Sequence, residues 1–117
     1  MDRRVLGLAG EHLAEHELVR RGMRVVARNV RTRIGEIDLV CRDRDGYAFV
    51  EVKTRRAGSF VAALEAVDRR KAERLAVLAE SWLAQRGERH APWRILIAAL
   101  TVSEGGTLVE LLPLETS

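Results

Sequence analysis

The chain has little cysteine and no long apolar run. Cys41 is the only cysteine among 117 residues, which excludes an internal disulfide and a zinc site built from cysteines. No apolar run approaches the roughly 20 residues that a membrane-spanning helix needs. Residues 1–4 lead into a polar, amphipathic segment rather than the apolar core of a signal peptide. These absences predict a cytoplasmic protein that does not enter a membrane.

Lysine is also scarce. Of the 20 basic residues, 18 are arginine, and Lys53 and Lys71 are the only lysines. With so strong a bias, a generic surface cation would be arginine. A retained lysine therefore points to a compact ammonium group that approaches a water or a phosphate. The bias could also leave two lysines by chance, more readily for Lys71 than for Lys53.

What is present is ordinary for a soluble globular protein. Hydrophobic residues make up 47% of the chain and charged residues 32%. The length suffices for one core and predicts a single domain over residues 1–117. A net charge of +3 and a sequence pI near 9.7 favour an anionic partner only mildly.

The most informative stretch is a charged hairpin. Residues 35–40 and 48–53 have the composition of strands, and the link at 43–46 contains an Asp-Gly pair that favours a tight turn. Because side chains alternate along a strand, Glu36 and Asp38 share one face, as do Glu51 and Lys53. Charged residues seldom enter such apolar segments unless they are paired, hydrated or bound to a metal.

This pattern predicts a magnesium centre. Asp38 and Glu51 would supply two carboxylate oxygens on a common face, and the Val52 carbonyl a third, with waters completing the shell. Lys53 would orient or deprotonate a metal-bound water, and Glu11 on the first helix could hold a water or a second ion. The alternative is a structural ion-pair cluster on an exposed face of the sheet, contributing roughly 0.2–1 kcal/mol per pair.

The remaining elements predict an α/β domain. A helix is expected over 5–21, with Glu17 paired to Arg21 and one apolar face. That face comprises Leu6, Gly10, Leu13, Ala14 and Leu18. Strands are expected at 23–29, 93–100 and 107–112, the last two joined by a turn at 103–106. The order of one helix, three strands, one helix and two strands predicts a mixed sheet.

A second long helix is expected to begin after an N-cap at Asp68 and to end near Ala84. Its apolar stripe consists of Leu75, Leu78, Ala79, Trp82 and Leu83. Lys71 lies on the same line and should point towards the sheet, or simply snorkel to water. Residues 60–67 are apolar with ambiguous periodicity and could form a helical turn.

Basic residues flank the hairpin on both sides. Arg28, Arg31 and Arg33 precede it, and Arg55 and Arg56 follow it in a segment, 54–59, that is expected to be a flexible loop. With Lys71 they are candidate nucleic-acid contacts, since arginine binds phosphate oxygens bidentately without reading sequence. The competing interpretation is a solvated edge of the sheet.

The order of the motifs resembles a known family. Gly7-x-x-Gly10-Glu11-x-x-Ala14 is followed by Arg28-Asn29, then GEIDLV, then FVEVKTR, then a helix with Val67 before it and Lys71 within it. Together these resemble the YraN-like family of small bacterial proteins, over most of the chain to about Leu83. Through that family the chain looks like a member of the PD-(D/E)XK nuclease superfamily, close to the archaeal Holliday-junction resolvases.

The resemblance implies a restriction-endonuclease-like fold, a mixed central β-sheet flanked by helices. It also carries the superfamily's metal-binding acid onto Asp38, its second acid onto Glu51, its lysine onto Lys53 and the helical glutamate of resolvase-like members onto Glu11. The chain departs from the pattern at three positions. Ile37 replaces a proline, Glu17 an aromatic residue and Leu96 an aspartate.

The resulting hypothesis is a Mg²⁺-dependent endonuclease that acts on DNA, with Mn²⁺ as a substitute and branched or structured DNA as the expected substrate. Two symmetric cuts in a junction would call for a homodimer. Two alternatives stay open: a nucleic-acid-binding module that keeps the scaffold without cutting, and an interaction domain whose acidic hairpin is structural.

Overall fold

A computed structural model describes residues 3–58 and 69–114, with side chains from residue 9 onwards. Two helices and five strands follow one another along the chain. They are α1 (Arg3–Arg20), β1 (Arg24–Thr32), β2 (Gly35–Asp43), β3 (Gly46–Arg56), α2 (Arg69–Gln85), β4 (Trp93–Ser103) and β5 (Gly106–Leu114). The predicted segment 60–67 and the predicted N-cap Asp68 lie outside the described residues.

The strands form one sheet in the order β1-β2-β3-β4-β5. β3 and β4 run parallel, and the other neighbouring pairs are antiparallel. Parallel neighbours need a crossover connection, and α2 lies within the segment that joins them. The predicted fold class, an α/β protein with a mixed central sheet flanked by helices, is confirmed.

Each face of the sheet packs against one helix. Phe49 belongs to the core beneath α2, whereas its neighbour Val50 belongs to the core beneath α1. The predicted stripe of α2 is buried in full, from Leu75 to Leu83. Leu96, where the resemblance expects an aspartate, is buried in the α1 core and therefore serves packing.

Three expectations about local structure are wrong. Leu13 is 43% exposed, because the buried line of α1 runs through Gly10, Ala14 and Leu18. The expected loop after Lys53 is strand up to Arg56, since parallel pairing with β4 continues that far. β1 likewise continues to Thr32 and pairs with β2. In both strands, pairing with a neighbour outweighs a polar local composition.

The β2–β3 turn has the glycine that its geometry requires. Gly46 has φ +128°, and a Cβ built there would lie 2.3 Å from the Pro92 carbonyl oxygen. That oxygen accepts a hydrogen bond from the Tyr47 amide at 2.9 Å. The Asp-Gly turn predicted from sequence is thus confirmed, and it also docks the segment that leads into β4. Neither described helix combines the length and the apolarity that a membrane crossing requires.

Candidate active site

The candidate site lies where β2 and β3 part. Backbone pairing between these strands ends at Leu39 and Val50, so Asp38 and Glu51 are the next residues in register. Beyond that point the Val52 amide donates to Asp38 Oδ2 at 2.7 Å. The Asp38 carboxylate thus accepts the hydrogen bond of the Val52 amide where backbone pairing between β2 and β3 has ended. This hydrogen bond fixes the Asp38 side chain between the two strands.

Glu51 joins the sheet to α2. Among the described residues it is the one charged side chain classed as buried, at 8% exposure. Its Oε1 lies 2.7 Å from Lys71 Nζ and 3.5 Å from Lys53 Nζ. A buried carboxylate is costly unless it is paired, and these two lysines are the only two in the chain. The structure thus confirms that Lys71 points towards the sheet.

The carboxylates near this point repel one another. Burial raises the pKa of Asp38 to about 6; the Val52 hydrogen bond opposes the shift, and the charges of Glu51, Glu11 and Glu36 add to it. The pKa of Glu11 is also raised, first by burial and then by Glu36. A cation bound among these groups would relieve that repulsion, so the electrostatics favour a positively charged ligand.

The two lysines have different electrostatic surroundings. Burial lowers the pKa of Lys53, and the neighbouring ammonium of Lys71 lowers it further. Burial also opposes the charged form of Lys71, but the short contact with Glu51 outweighs it and raises the pKa of Lys71. Lys53 is therefore the lysine of the pair that gives up its proton more readily, as a general base requires.

Close packing of α1 brings Glu11 to the site. Gly10 is buried, and a Cβ on it would lie 2.8 Å from Thr54 Oγ1 on β3. The missing side chain lets the helix backbone approach the strand. The next residue, half-buried Glu11, then acts electrostatically on Asp38. Glu36 belongs to the same group of acids; sequence reasoning placed it on the face of Asp38 but gave it no role.

The donor groups at the site fit a hard divalent cation. Asp38, Glu51 and the Val52 carbonyl offer oxygen atoms, which Mg²⁺ prefers. Within 3–58 and 69–114, no group of three or more histidine, cysteine, aspartate or glutamate side chains is placed to hold a metal ion. Proteins nonetheless commonly bind Mg²⁺ through two carboxylates, with waters in the other coordination positions. The residues present therefore fit Mg²⁺ better than they fit an ion that takes all its ligands from the protein.

The arginines proposed as nucleic-acid contacts are not equivalent. Arg28 donates to both carboxylate oxygens of Glu15 on α1, each at 2.8 Å, a pair that its separation of 13 residues hid from sequence analysis. Arg31 lies in β1 with its guanidinium 3.5 Å from Glu36, and Arg33 is exposed in the β1–β2 turn. Arg55 donates weakly to Thr101 at 3.4 Å.

Strand direction places most of these arginines at one end of the sheet, where β1 and β3 end and β2 begins. Arg31, Arg33, Arg55 and Arg56 lie towards that end, beyond the level of Asp38 and Glu51. Arg28 pairs with Leu39, beside Asp38, but its side chain is held by Glu15.

Comparison with known proteins confirms the family resemblance. The chain belongs to the uncharacterised protein family UPF0102, whose model matches residues 10–100, beyond the limit near Leu83 that the motifs suggested. It is 48% identical to a UPF0102 protein of Nocardia farcinica, over 80% of this chain and 71% of that one. Identity with the Symbiobacterium thermophilum relative is 44%, over 92% and 91%.

Two solved structures show a distant likeness. One is an EndoMS complex with double-stranded DNA, with a TM-score of 0.47 and 21% identity over 80% of this chain and 35% of that chain. The other is Pyrococcus furiosus SfsA in complex with Ca²⁺, with a TM-score of 0.45 and 20% identity over 97% of this chain and 65% of that chain. Likenesses of this size carry no argument about activity.

Proposed function

We propose that the protein is a Mg²⁺-dependent endonuclease that hydrolyses DNA phosphodiester bonds, with Mn²⁺ able to replace Mg²⁺. The proposal rests on Asp38 and Glu51 lying opposite each other in register where β2 and β3 part, with Lys53 beside Glu51. The motif order GEIDLV and FVEVKTR, which resembles the PD-(D/E)XK superfamily, supports the same reading. A cytoplasmic location and branched DNA as substrate are parts of this proposal.

Each residue has a proposed part in the reaction. Asp38, Glu51 and the Val52 carbonyl would hold the ion, which when bound lowers the pKa of a water and offsets charge on the phosphate. Lys53, whose pKa is lowered, would orient that water or take its proton. Glu11 would hold a further water at the edge of the site.

The chain would position DNA through its backbone. Arg31, Arg33, Arg55 and Arg56 lie towards the end of the sheet where β1 and β3 end, and they would contact phosphates without reading sequence. Arg28 would contact a phosphate only if DNA displaced Glu15 from its guanidinium. Lys71 is better placed to hold Glu51 than to reach a phosphate, because its ammonium lies 2.7 Å from that carboxylate.

The test is cleavage of a synthetic four-way junction and of linear duplex with Mg²⁺ or Mn²⁺. Asp38→Ala should abolish product, and Lys53→Ala should slow the reaction about 100-fold or more. Asp43→Ala is the matched control, since it removes an aspartate from the opposite end of β2, where Asp43 pairs with Arg94. Cleavage that survives both site substitutions rules out this centre.

One observation favours a second candidate, a nucleic-acid-binding module that does not cut. Glu51 Oε1 is contacted by two ammonium groups, which would compete with a metal ion for that oxygen. Such a module would bind DNA in a salt-dependent manner and yield no metal-dependent product. Calorimetric titration with Mn²⁺ separates the candidates, because only the enzyme requires a site that Asp38→Ala removes.

A further inference from the structure

An exposed isoleucine stands beside arginines next to the candidate site. Ile34, in the β1–β2 turn, is 50% exposed. It lines an open groove of about 520 Å³ together with Arg70, Glu73, Arg74 and Val77 of α2. Val77 is 53% exposed in the same groove, so the two side chains form an exposed apolar patch rather than isolated surface residues, and such a patch suits contact with another molecule.

The groove carries positive charge. Arg70 and Arg74 are both exposed and lie one turn apart on α2, so their side chains occupy one face of the helix. Glu73, the acid in the groove, is within 3.9 Å of Arg69, which offsets its charge. Arg33 adds an exposed guanidinium in the same turn as Ile34. The arginines favour an anionic partner, and the exposed Ile34 beside them suits an anion that also offers an apolar surface, as a nucleic acid does through its bases.

The groove lies at the start of β2, the strand that carries Asp38. A Cβ on Gly35, the first residue of β2, would lie 3.1 Å from Arg74 Cδ, so the arginine stem packs against the start of the strand that carries Asp38. Lys71, which follows Arg70 on α2, reaches Glu51. A strand of nucleic acid leaving the site along α2 would therefore pass Arg70, Arg74 and Ile34.

We propose that this groove binds the DNA adjoining the reacting phosphate and that Ile34 acts as a wedge against an open base step. Arg70 and Arg74 would contact phosphates while the isoleucine takes the place of a stacked neighbour. Unstacking costs least where the duplex is already interrupted. The groove would therefore select branched or bulged DNA over continuous duplex. This inference rests on the proposed function in taking DNA as the partner.

The experiment measures DNA binding in EDTA, where no cleavage occurs. Fluorescence anisotropy gives the affinity of the full chain for a four-way junction, a bulged duplex and a continuous duplex of equal length. Ile34→Ala and Ile34→Gln should each weaken junction and bulge binding about 5- to 20-fold, towards the lower end of the loss seen when a side chain that stacks on a base is replaced by alanine. Binding to continuous duplex should stay within about twofold, because phosphate contacts carry it.

Two controls make the result specific. Leu108→Ala removes an apolar side chain that is 60% exposed on the edge strand β5, and it should leave all three affinities unchanged. Arg70→Ala and Arg74→Ala should weaken binding to all three DNAs and reduce the slope of log affinity against log salt by about one each. The same two substitutions should not change the preference for interrupted DNA.

The outcomes separate this inference from the proposed function. Equal affinity of the wild type for all three DNAs, or a preference that both Ile34 variants retain, overturns the wedge even if cleavage is observed. A preference lost in both variants supports the wedge even if no cleavage occurs. Absence of DNA binding at low salt in EDTA overturns the wedge, whereas the proposed function is decided separately by the cleavage assay with Mg²⁺ or Mn²⁺.

Discussion

At the scale of the residue, ionisation of the Asp38 carboxyl group destabilises the folded protein, and the size of this effect depends on pH. Its folded-state pKa of about 6 lies above the ordinary value of 3.8 because of burial, so the folded protein binds the proton more tightly than the unfolded chain. Between pH 4 and pH 6 the folded state therefore holds more protons, and the free energy of unfolding falls as pH rises. Above pH 6 the ionised carboxylate lowers the free energy of unfolding by about 3 kcal/mol.

Replacing this carboxylate should accordingly stabilise the metal-free protein. Asp38→Asn keeps an oxygen that can accept from the Val52 amide but removes the charge. We expect a gain of up to about 3 kcal/mol at pH 8 that vanishes near pH 4, measured by urea denaturation in EDTA. A gain that is independent of pH would show that ionisation of Asp38 is not the cause.

The lysine pair gives a second prediction at this scale. Lys71→Met removes the ammonium nearest to Glu51 and leaves Lys53 facing that carboxylate. The pKa of Lys53 should rise, because a repelling charge is lost and Glu51 is left to Lys53 alone. Titration of the Lys53 ¹³Cε signal measures this, and stability should fall by about 1–3 kcal/mol. Arg70→Met, at an exposed neighbouring position, should change neither the pKa of Lys53 nor the stability. A pKa of Lys53 that Lys71→Met leaves unchanged would show that the Lys71 ammonium does not act on Lys53.

At the scale of the element, α1 is positioned by what Gly10 lacks. Gly10→Ala adds a methyl group 2.8 Å from Thr54 Oγ1, and such overpacking costs about 1–3 kcal/mol. Alanine also stabilises a helix by about 1 kcal/mol relative to glycine. We expect net destabilisation in the wild type but net stabilisation by about 1 kcal/mol in a Thr54→Ala background.

A double-mutant cycle of Gly10→Ala and Thr54→Ala, followed by thermal denaturation, tests this packing. Coupling of at least about 1 kcal/mol is expected, since the two atoms would be in direct contact. Additive effects would mean that α1 does not approach β3 as closely as the structure shows.

At the scale of the whole molecule, metal binding should be linked to stability. An ion that binds the folded protein alone adds about 2.7 kcal/mol at 100 times its Kd. The ion prefers an ionised Asp38, so the rise in Tm on adding Mn²⁺ should be larger at pH 8 than at pH 5. Differential scanning fluorimetry provides the measurement.

Variants of the two aspartates on β2 control that measurement. Asp38→Asn should show little Mn²⁺-dependent rise, whereas Asp43→Asn should behave as the wild type because it lies beside Arg94 at the other end of the strand. An equal rise in all three proteins would point to binding elsewhere on the protein and would contradict the proposed centre.

The sequence alone determined the features that depend on neighbours along the chain. The hairpin pattern placed Asp38 and Glu51 on adjoining strands, the Asp-Gly pair predicted the turn at Gly46, and helical spacing predicted the buried stripe of α2. These patterns follow from the fixed periods of strands and helices, so they can be read without knowing the partners.

Only the tertiary structure decided which distant residues meet. Packing decides that β2 and β3 part at Leu39 and Val50. It also brings together segments that are far apart in sequence, through the Lys71–Glu51 contact and the Glu15–Arg28 pair. The extension of β3 to Arg56 likewise depends on β4. Such contacts depend on how strands and helices pack together, and no local period specifies that packing.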